Sequence, residues 1–386
     1  MIPTALNKVL AALRQRPDAE RAQSLGFAEG RKCVNLALQG GGSHGAFTWG
    51  VLDQLLADGR LAIDGISGAS AGAVNAVMLA DGLARGDAAE ARQRLADFWR
   101  AASFGGSLSD AQREAIERLF AFMPRHSSPA PWFGALTRYW SPYDLNPLNI
   151  NPLKSLIERF VDFPRIREDT RRELFISATN VHSGQQRVFS RPEITAEVVM
   201  ASACLPLLFQ AVEIDGVPHW DGGYSGNPSM LPFLRTTATE DVLIVQINPI
   251  ERDAAPTSSR DIMTRLQELT FNASLLSELR ALALAERLIT EGGLPRGTAP
   301  GQYRRLRLHR IVMDGGTDFD DRSKLNNDYE FLDRLRQVGQ AAAQRFLDEH
   351  FDDLGVKSTI DLPDEPAPQW TDSSGPADTG DRAVLS

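Results

Sequence analysis

Three short segments of the chain hold residue types that suit nucleophilic chemistry. Gly68–Gly72 is a G-x-S-x-G pattern, which places Ser70 on a sharp turn between a strand and a helix with its hydroxyl exposed. Gly40–Gly45 is a second glycine-rich turn upstream, and Asp221–Gly223 puts a carboxylate before two glycines. Together they offer a nucleophile, a base and backbone N–H groups for binding an anion.

A nucleophilic serine needs a base, and the usual base is histidine. In hydrolases of the order Ser, Asp, His, the histidine follows the acid, which leaves His309 and His350. His309 lies in a predicted strand and His350 at a solvated helix end, so we expect both to be structural. Asp221, which follows a hairpin predicted over residues 212–217, is the alternative base, although Asp-Gly is also a common plain turn signal.

Two interpretations of the Gly40–Gly45 turn are open from its local pattern. It matches the G-x-G-x-x-G dinucleotide fingerprint, and Asp64 follows near the position of a ribose-binding acid. It also suits an oxyanion hole, because glycine N–H groups at a helix N-terminus favour an anion. The second interpretation is preferred, since dinucleotide binding leaves Ser70 unexplained while acyl transfer uses both turns.

The elements that must position these residues alternate between strands and helices. Apolar and β-prone runs predict strands at residues 34–38, 63–66, 174–179, 187–189, 242–247 and 306–313. Helical periodicity predicts helices at residues 46–56, 73–83, 261–290 and 329–351. Such alternation predicts an α/β fold with a mainly parallel sheet and helices on both of its faces.

The remaining segments differ in character from this core. Residues 119–163 hold nine aromatic residues and are interrupted by prolines, which predicts an aromatic cap, packed on itself or serving as a lid or acyl pocket. The amphipathic helix over 261–290 carries a leucine stripe that we expect to pack on the core. The predicted organisation is an N-terminal helical segment (1–32), a catalytic domain (33–315) containing the cap, a C-terminal helical extension (316–355) and a disordered acidic tail (356–386).

Composition and charge exclude several classes of protein. The chain has 386 residues, 42% hydrophobic and 24% charged, which is ordinary globular usage and excludes wholesale disorder. A net charge of −9 argues against a nucleic-acid module. Cys33 and Cys204 cannot form a disulfide framework or suggest a zinc site. Without a signal peptide or a spanning run of apolar residues, we expect a cytoplasmic protein that meets membranes only at their surface.

The three motifs, in this order, resemble those of patatin-like phospholipases, which are similar to the catalytic core of cytosolic phospholipase A2. That family has a G-G-G-x-R/K-G loop, a G-x-S-x-G serine and a D-G-G/A aspartate. The resemblance covers roughly residues 33–250 and implies a three-layer α/β/α patatin-like fold. One position departs from the family, because His44 stands where the loop has Arg or Lys. An ordinary histidine titrates near pH 6.5, whereas Arg and Lys stay charged.

The resemblance also implies residue roles. Ser70 would attack an ester carbonyl, Asp221 would accept its proton, and the N–H groups of Gly41, Gly42 and Ser43 would bind the oxyanion. An apolar cleft would raise the pKa of the aspartate from about 3.9 towards the working pH. No metal or cofactor is required. The residues expected to support these motifs are Gly40, His44, Gly45, Gly68, Gly72, Gly222 and Gly223.

The function expected from these residues is hydrolysis of carboxylic esters in phospholipids, lysophospholipids or related acyl esters. One alternative is an acyltransferase such as a malonyl-transfer enzyme, but those usually have histidine where this chain has Ala69. Another is a nucleotide-binding module that uses Gly40–Gly45. A third is an inactive lipid-binding relative, which the departure at His44 leaves open.

Overall fold

The computed structural model describes residues 30–103, 141–252, 254–297, 301–313, 324 and 326–360. The predicted N-terminal helical segment up to residue 29, residues 119–140 of the predicted cap, and the tail beyond residue 360 lie outside the described residues. The predicted organisation into domains therefore stays a prediction.

The strands of the described residues form one mixed sheet. Its strands are β1 (Lys32–Leu38), β2 (Leu61–Gly68), β3 (Glu173–Asn180), β4 (Gln186–Ser190), β5 (Val212–Ile214), β6 (Val217–Asp221), β7 (Asp241–Gln246) and β8 (Arg307–Val312). The order across the sheet is β5-β6-β3-β2-β1-β7-β8, with β4 also paired to β3. Strands β3, β2, β1, β7 and β8 are parallel to one another, while β4, β5 and β6 join by antiparallel pairing.

The helices of the described residues connect these strands or, in the case of the last helix, follow them. They are α1 (Gly45–Asp58), α2 (Ala71–Arg85), α3 (Ala88–Ala102), α4 (Pro142–Leu145), α5 (Pro152–Phe160), α6 (Phe163–Glu168), α7 (Ala196–Ser202), α8 (Phe233–Thr236), α9 (Ser259–Thr290) and α10 (Tyr329–His350). Helix α5 begins as its sequence indicates, with Asn151 as N-cap accepting from Leu153 N–H and Pro152 at the first position.

Side chains alternate between the two faces of the sheet and fill two separate cores. On β1, Leu36 and Leu38 join the core formed with α1, α2, α3 and α10, whereas Ala37 faces the core formed with α8 and α9. On β7, Leu243 and Ile244 divide in the same way. Because helices cover both faces of a mostly parallel sheet, the predicted three-layer α/β/α fold is confirmed.

Parallel pairing brings the two glycine-rich turns together. Leu38, the last residue of β1, is in register with Gly68, the last residue of β2. Each strand therefore ends at the same edge of the sheet and leads into a helix there. Asp221 arrives from the antiparallel side, where it ends β6 opposite Ala178 of β3.

Helix α9 differs from its prediction in its first third. The sequence places Leu266, Leu269, Leu275 and Leu279 on one core-facing stripe, and the last two are buried as expected. Leu266 and Leu269, however, are 51% and 47% exposed. The stripe follows the helical period, but the underlying core begins to cover the helix only further along, so periodicity alone overstates burial at its start.

Helices α1 and α10 approach so closely that glycine is required where they meet. A Cβ atom on Gly339 of α10 would overlap the carbonyl oxygen of Phe47 and lie 2.9 Å from the amide nitrogen of Val51. The helices can therefore pack at this distance only without a side chain at this position.

We expect Gly339→Ala to lower the stability of the fold by about 2 kcal/mol, because the added methyl group overpacks this contact. Helix propensity alone predicts the opposite, a gain of about 1 kcal/mol. Ala341→Gly at an exposed position of the same helix is the matched control for propensity. Urea denaturation measures both changes, and a Gly339→Ala variant as stable as the parent contradicts the packing argument.

Candidate active site

Ser70 occupies a strained turn between β2 and α2. Its backbone has φ 54° and ψ −124°, a conformation that residues other than glycine seldom adopt. Gly72 makes the turn sterically feasible, because a Cβ there would overlap the carbonyl oxygen of Leu38. The Ser70 N–H donates to Ser202 Oγ at 3.0 Å, which helps to hold this conformation. Strain of this kind is typical of a nucleophile elbow.

Asp221 lies beside Ser70 at the end of β6. The Ser70 hydroxyl donates to Asp221 Oδ2 at 2.6 Å, and the Gly223 N–H donates to Asp221 Oδ1 at 2.7 Å. The carboxyl group is fully buried. Burial raises the pKa of Asp221 to about 7, although both hydrogen bonds act to lower it. A carboxylate with this pKa is a far better base at neutral pH than an ordinary aspartate.

The Gly40–Gly45 turn lies against the serine. A Cβ on Gly40 would come within 2.6 Å of Ser70 Cβ, and the Gly40 N–H donates to Asn227 Oδ1 at 2.7 Å. Residues Gly42–His44 form a 3-10 turn that leads into α1, and Gly42 has φ 59°.

The same turn offers hydrogen-bond donors next to the nucleophile. Among the residues that the structure describes, the N–H groups of Gly41, Gly42 and Ser43 have no acceptor. Helices α1 and α2 both begin at this point, so their positive ends favour a negative charge here. The arrangement suits an oxyanion formed at a carbonyl attacked by Ser70.

His44 belongs to this turn, and its side chain is not in the state of an ordinary histidine. It is buried, and its ring centroid is 6.3 Å from that of Phe331. Burial and the positive charge of Lys324 lower the pKa of His44 to about 3. The side chain is therefore neutral at neutral pH. The sequence alone suggests a group that titrates near pH 6.5, and the buried histidine does not do so.

The other candidates from the sequence have different partners. His309 bonds Asp241 at 3.0 Å and Thr359 at 3.3 Å, and His350 bonds Asp353 at 3.1 Å. Asp64 is buried and accepts the backbone N–H groups of residues 238 and 239. Its carboxylate thus binds the backbone just before β7 and not a ribose, so the dinucleotide interpretation is not supported.

Several polar residues that sequence reasoning did not place in the site surround it. Asn227 and Ser202 bond the backbone of Gly40 and Ser70 directly. Asn248 Nδ2 donates to the Gly40 carbonyl at 3.0 Å, and Gln39 accepts from the N–H groups of Ile247 and Asn248. Two of them have a signal in the sequence, because Ser202 follows Ala201 and Asn227 precedes Pro228 in short stretches that also look like the patatin-like family.

With the fold and this geometry established, comparison with known proteins gives the family. The model of the patatin-like phospholipases matches residues 36–234, just over half of the chain. The chain belongs to the patatin-like phospholipase family, as the resemblance of its motifs predicts. Membership supports lipid acyl hydrolysis as a general activity.

Two solved structures of bacterial proteins are similar to this chain. VipD from Legionella pneumophila has 16% sequence identity and a TM-score of 0.36, covering 79% of this chain and 67% of that chain. ExoU, in its heterodimeric complex with SpcU from the type III secretion system of Pseudomonas aeruginosa, has 19% identity and a TM-score of 0.36, covering 83% of this chain and 52% of that one. This chain thus spans about half the length of ExoU. No curated protein matched.

None of the helices among the described residues combines the length and the apolar composition that crossing a bilayer requires.

Proposed function

We propose that this chain is a serine-dependent lipid acyl hydrolase that cleaves carboxylic esters through a Ser–Asp dyad. The observation that carries the proposal is the 2.6 Å hydrogen bond from the strained Ser70 to the buried carboxyl group of Asp221. A plain Asp-Gly turn accounts neither for a fully buried carboxyl group nor for its contact with a serine in a strained conformation.

In the proposed reaction, Ser70 Oγ attacks the carbonyl carbon of the ester while its proton passes to Asp221. The N–H groups of Gly41, Gly42 and Ser43 bind the oxyanion that forms. Asp221 then returns the proton to the leaving alcohol, which gives an acyl-enzyme on Ser70. Water attacks the acyl-enzyme with Asp221 again as base, releasing the fatty acid and restoring the serine.

Both the family and the surface around the site support a lipid substrate. Tyr224, one residue after the Asp221–Gly223 turn, is 41% exposed and packs on Phe271 with ring centroids 5.3 Å apart. An exposed aromatic side chain next to the Asp221–Gly223 turn favours an acyl chain over a polar substrate. Phospholipids and lysophospholipids are the proposed substrates, met by a cytoplasmic protein at a membrane surface.

The test is lipid mass spectrometry of products released from mixed phospholipids by the full chain and by Ser70→Ala. We expect free fatty acids and lysophospholipids from the parent only. Acyl groups transferred to another alcohol, rather than released as free acid, would instead indicate an acyltransferase. Equal release by both proteins, or by neither, contradicts the proposed hydrolase.

A further inference from the structure

Lys324, a lysine far along the chain, contacts the glycine turn and a second residue that bonds the turn. The carbonyl oxygen of Lys324 lies against Gly42, because a Cβ on Gly42 would come within 2.5 Å of it. The ammonium group of the same residue donates to Asn248 Oδ1 at 2.8 Å. One residue therefore touches both the turn that is proposed to bind the oxyanion and Asn248, which donates to the Gly40 carbonyl of that turn.

Asn248 connects Lys324 to the turn itself, because it bonds both. Its Oδ1 accepts from the ammonium group of Lys324, and its Nδ2 donates to the Gly40 carbonyl at 3.0 Å. Because an ammonium group can only donate and a carbonyl can only accept, the amide satisfies both partners in one orientation alone. Asn248 is buried, and its own N–H is held by Gln39 Oε1 at 2.8 Å, so this orientation is fixed.

The chain of contacts ends on a proposed oxyanion donor. The carbonyl of Gly40 and the N–H of Gly41 belong to one planar peptide group, so a hydrogen bond to the former polarises the latter. The positive charge of Lys324 strengthens the hydrogen bonds that lead from it through Asn248 to the Gly40 carbonyl. The neutral His44 leaves the turn without a charge of its own at neutral pH, while the charge of Lys324 is close enough to act on His44.

We propose that Lys324 is a positioning residue of the hydrolase, which acts through Asn248 on the Gly40–Gly41 peptide group and thereby strengthens the oxyanion site. This inference rests on the proposed function. A negative oxygen exists only in the transition state and the tetrahedral intermediate, so the effect of Lys324 belongs to kcat and not to KM.

The experiment measures steady-state hydrolysis of p-nitrophenyl butyrate by the full chain. We expect Lys324→Met to lower kcat about tenfold with KM unchanged, which is less than the loss caused by removing a direct oxyanion donor. Lys324→Arg keeps a cationic donor and should restore most of the rate. Lys324→Gln keeps a neutral donor of similar reach and should fall between them, and it serves as the second variant where Lys324→Met does not fold.

Lys32→Met is the matched control for a purely structural lysine. Lys32 Nζ donates to the carbonyl oxygens of residues 351 and 354, and so also ties a C-terminal segment to the core, but away from the dyad. We expect it to lower the melting temperature and to leave kcat unchanged. If Lys324→Met behaves like Lys32→Met, or if arginine does not rescue it, the positioning role is overturned.

The two proposals fail in different ways. An active parent, inactive Ser70→Ala and undiminished Lys324→Met overturn the role of Lys324 alone. A parent whose ester hydrolysis is absent, or is unaffected by Ser70→Ala, overturns the proposed function and the role of Lys324 with it.

Discussion

Asp221→Asn is expected to lower kcat by about 10⁴-fold, a loss of the size seen when the triad aspartate of another serine hydrolase is replaced. Asparagine can still occupy the site, and its side-chain oxygen can accept the hydrogen bond from the Gly223 N–H, so the turn is retained. It cannot take the proton of Ser70, however, and the serine stays a weak nucleophile. Hydrolysis of p-nitrophenyl butyrate at pH 8 by the parent and the variant measures this loss.

The same substitution is expected to make the folded chain more stable at pH 8. The pKa of Asp221 is raised from 3.8 to about 7 by burial, so the folded chain holds this proton to a higher pH than the unfolded chain does. The stability that this proton linkage contributes is present below pH 3.8 and is lost as the pH rises through about 7. Above that pH the buried charge costs about 4 kcal/mol, part of which asparagine recovers.

The pH dependence of the activity and of the stability follows from the raised pKa of Asp221. The kcat/KM of the parent should rise with pH and level off with an apparent pKa near 7, because only the ionised carboxylate accepts the proton. The stability gain of Asp221→Asn should shrink from pH 8 to pH 5. Thermal unfolding across this range measures it.

Asp241→Asn is the matched control, because Asp241 is a buried aspartate with the opposite shift. Burial acts to raise the pKa of Asp241, but hydrogen bonds from His309 and Arg307 outweigh it and lower the pKa well below 3.8. Asparagine there should destabilise the fold at neutral pH and leave hydrolysis unchanged. An Asp221→Asn variant that is active, or less stable than the parent at pH 8, contradicts the assignment of the base.

The parts of the site that the sequence predicts are those that local sterics dictate. Gly72 is glycine because the turn after β2 passes the Leu38 carbonyl, and Ser70 is strained because that turn is sharp. Both requirements act within a few residues of chain or between neighbouring strands. They therefore appear in the sequence as motifs with fixed spacing. The sheet that positions them appears as the alternation of predicted strands and helices.

The parts that the sequence does not predict depend on contacts between distant segments. Asn227 bonds Gly40 across 187 residues, and Asn248 bonds it across 208. No spacing connects a lone asparagine or a lone lysine such as Lys324 to a glycine turn. The protonation of His44 is likewise a property of its surroundings, since burial, and not residue type, takes its pKa from 6.5 to about 3.

A substitution in the Gly40–Gly45 turn, which is proposed to bind the oxyanion, is expected to have the second large effect on kcat. We expect Gly42→Ala to lower kcat by about 10²-fold, near the lower end of the loss seen on removing one oxyanion donor from another hydrolase. Gly42 has φ 59°, which strains any other residue, and the new Cβ would meet the Lys324 carbonyl at 2.5 Å. The turn or residue 324 must then move, and the N–H groups lose their aim at the oxyanion.

Gly59→Ala separates the two consequences of this substitution. Gly59 also has a positive φ, 75°, but it ends α1, and a methyl group added there would meet no atom within 4 Å. Both variants therefore incur the left-handed strain of alanine, about 1 kcal/mol, whereas only Gly42→Ala alters the oxyanion turn. Measured by urea denaturation and ester hydrolysis, Gly59→Ala should lose stability alone. A Gly42→Ala variant with the kcat of the parent would remove this turn from the reaction, because the strain would then have no catalytic consequence.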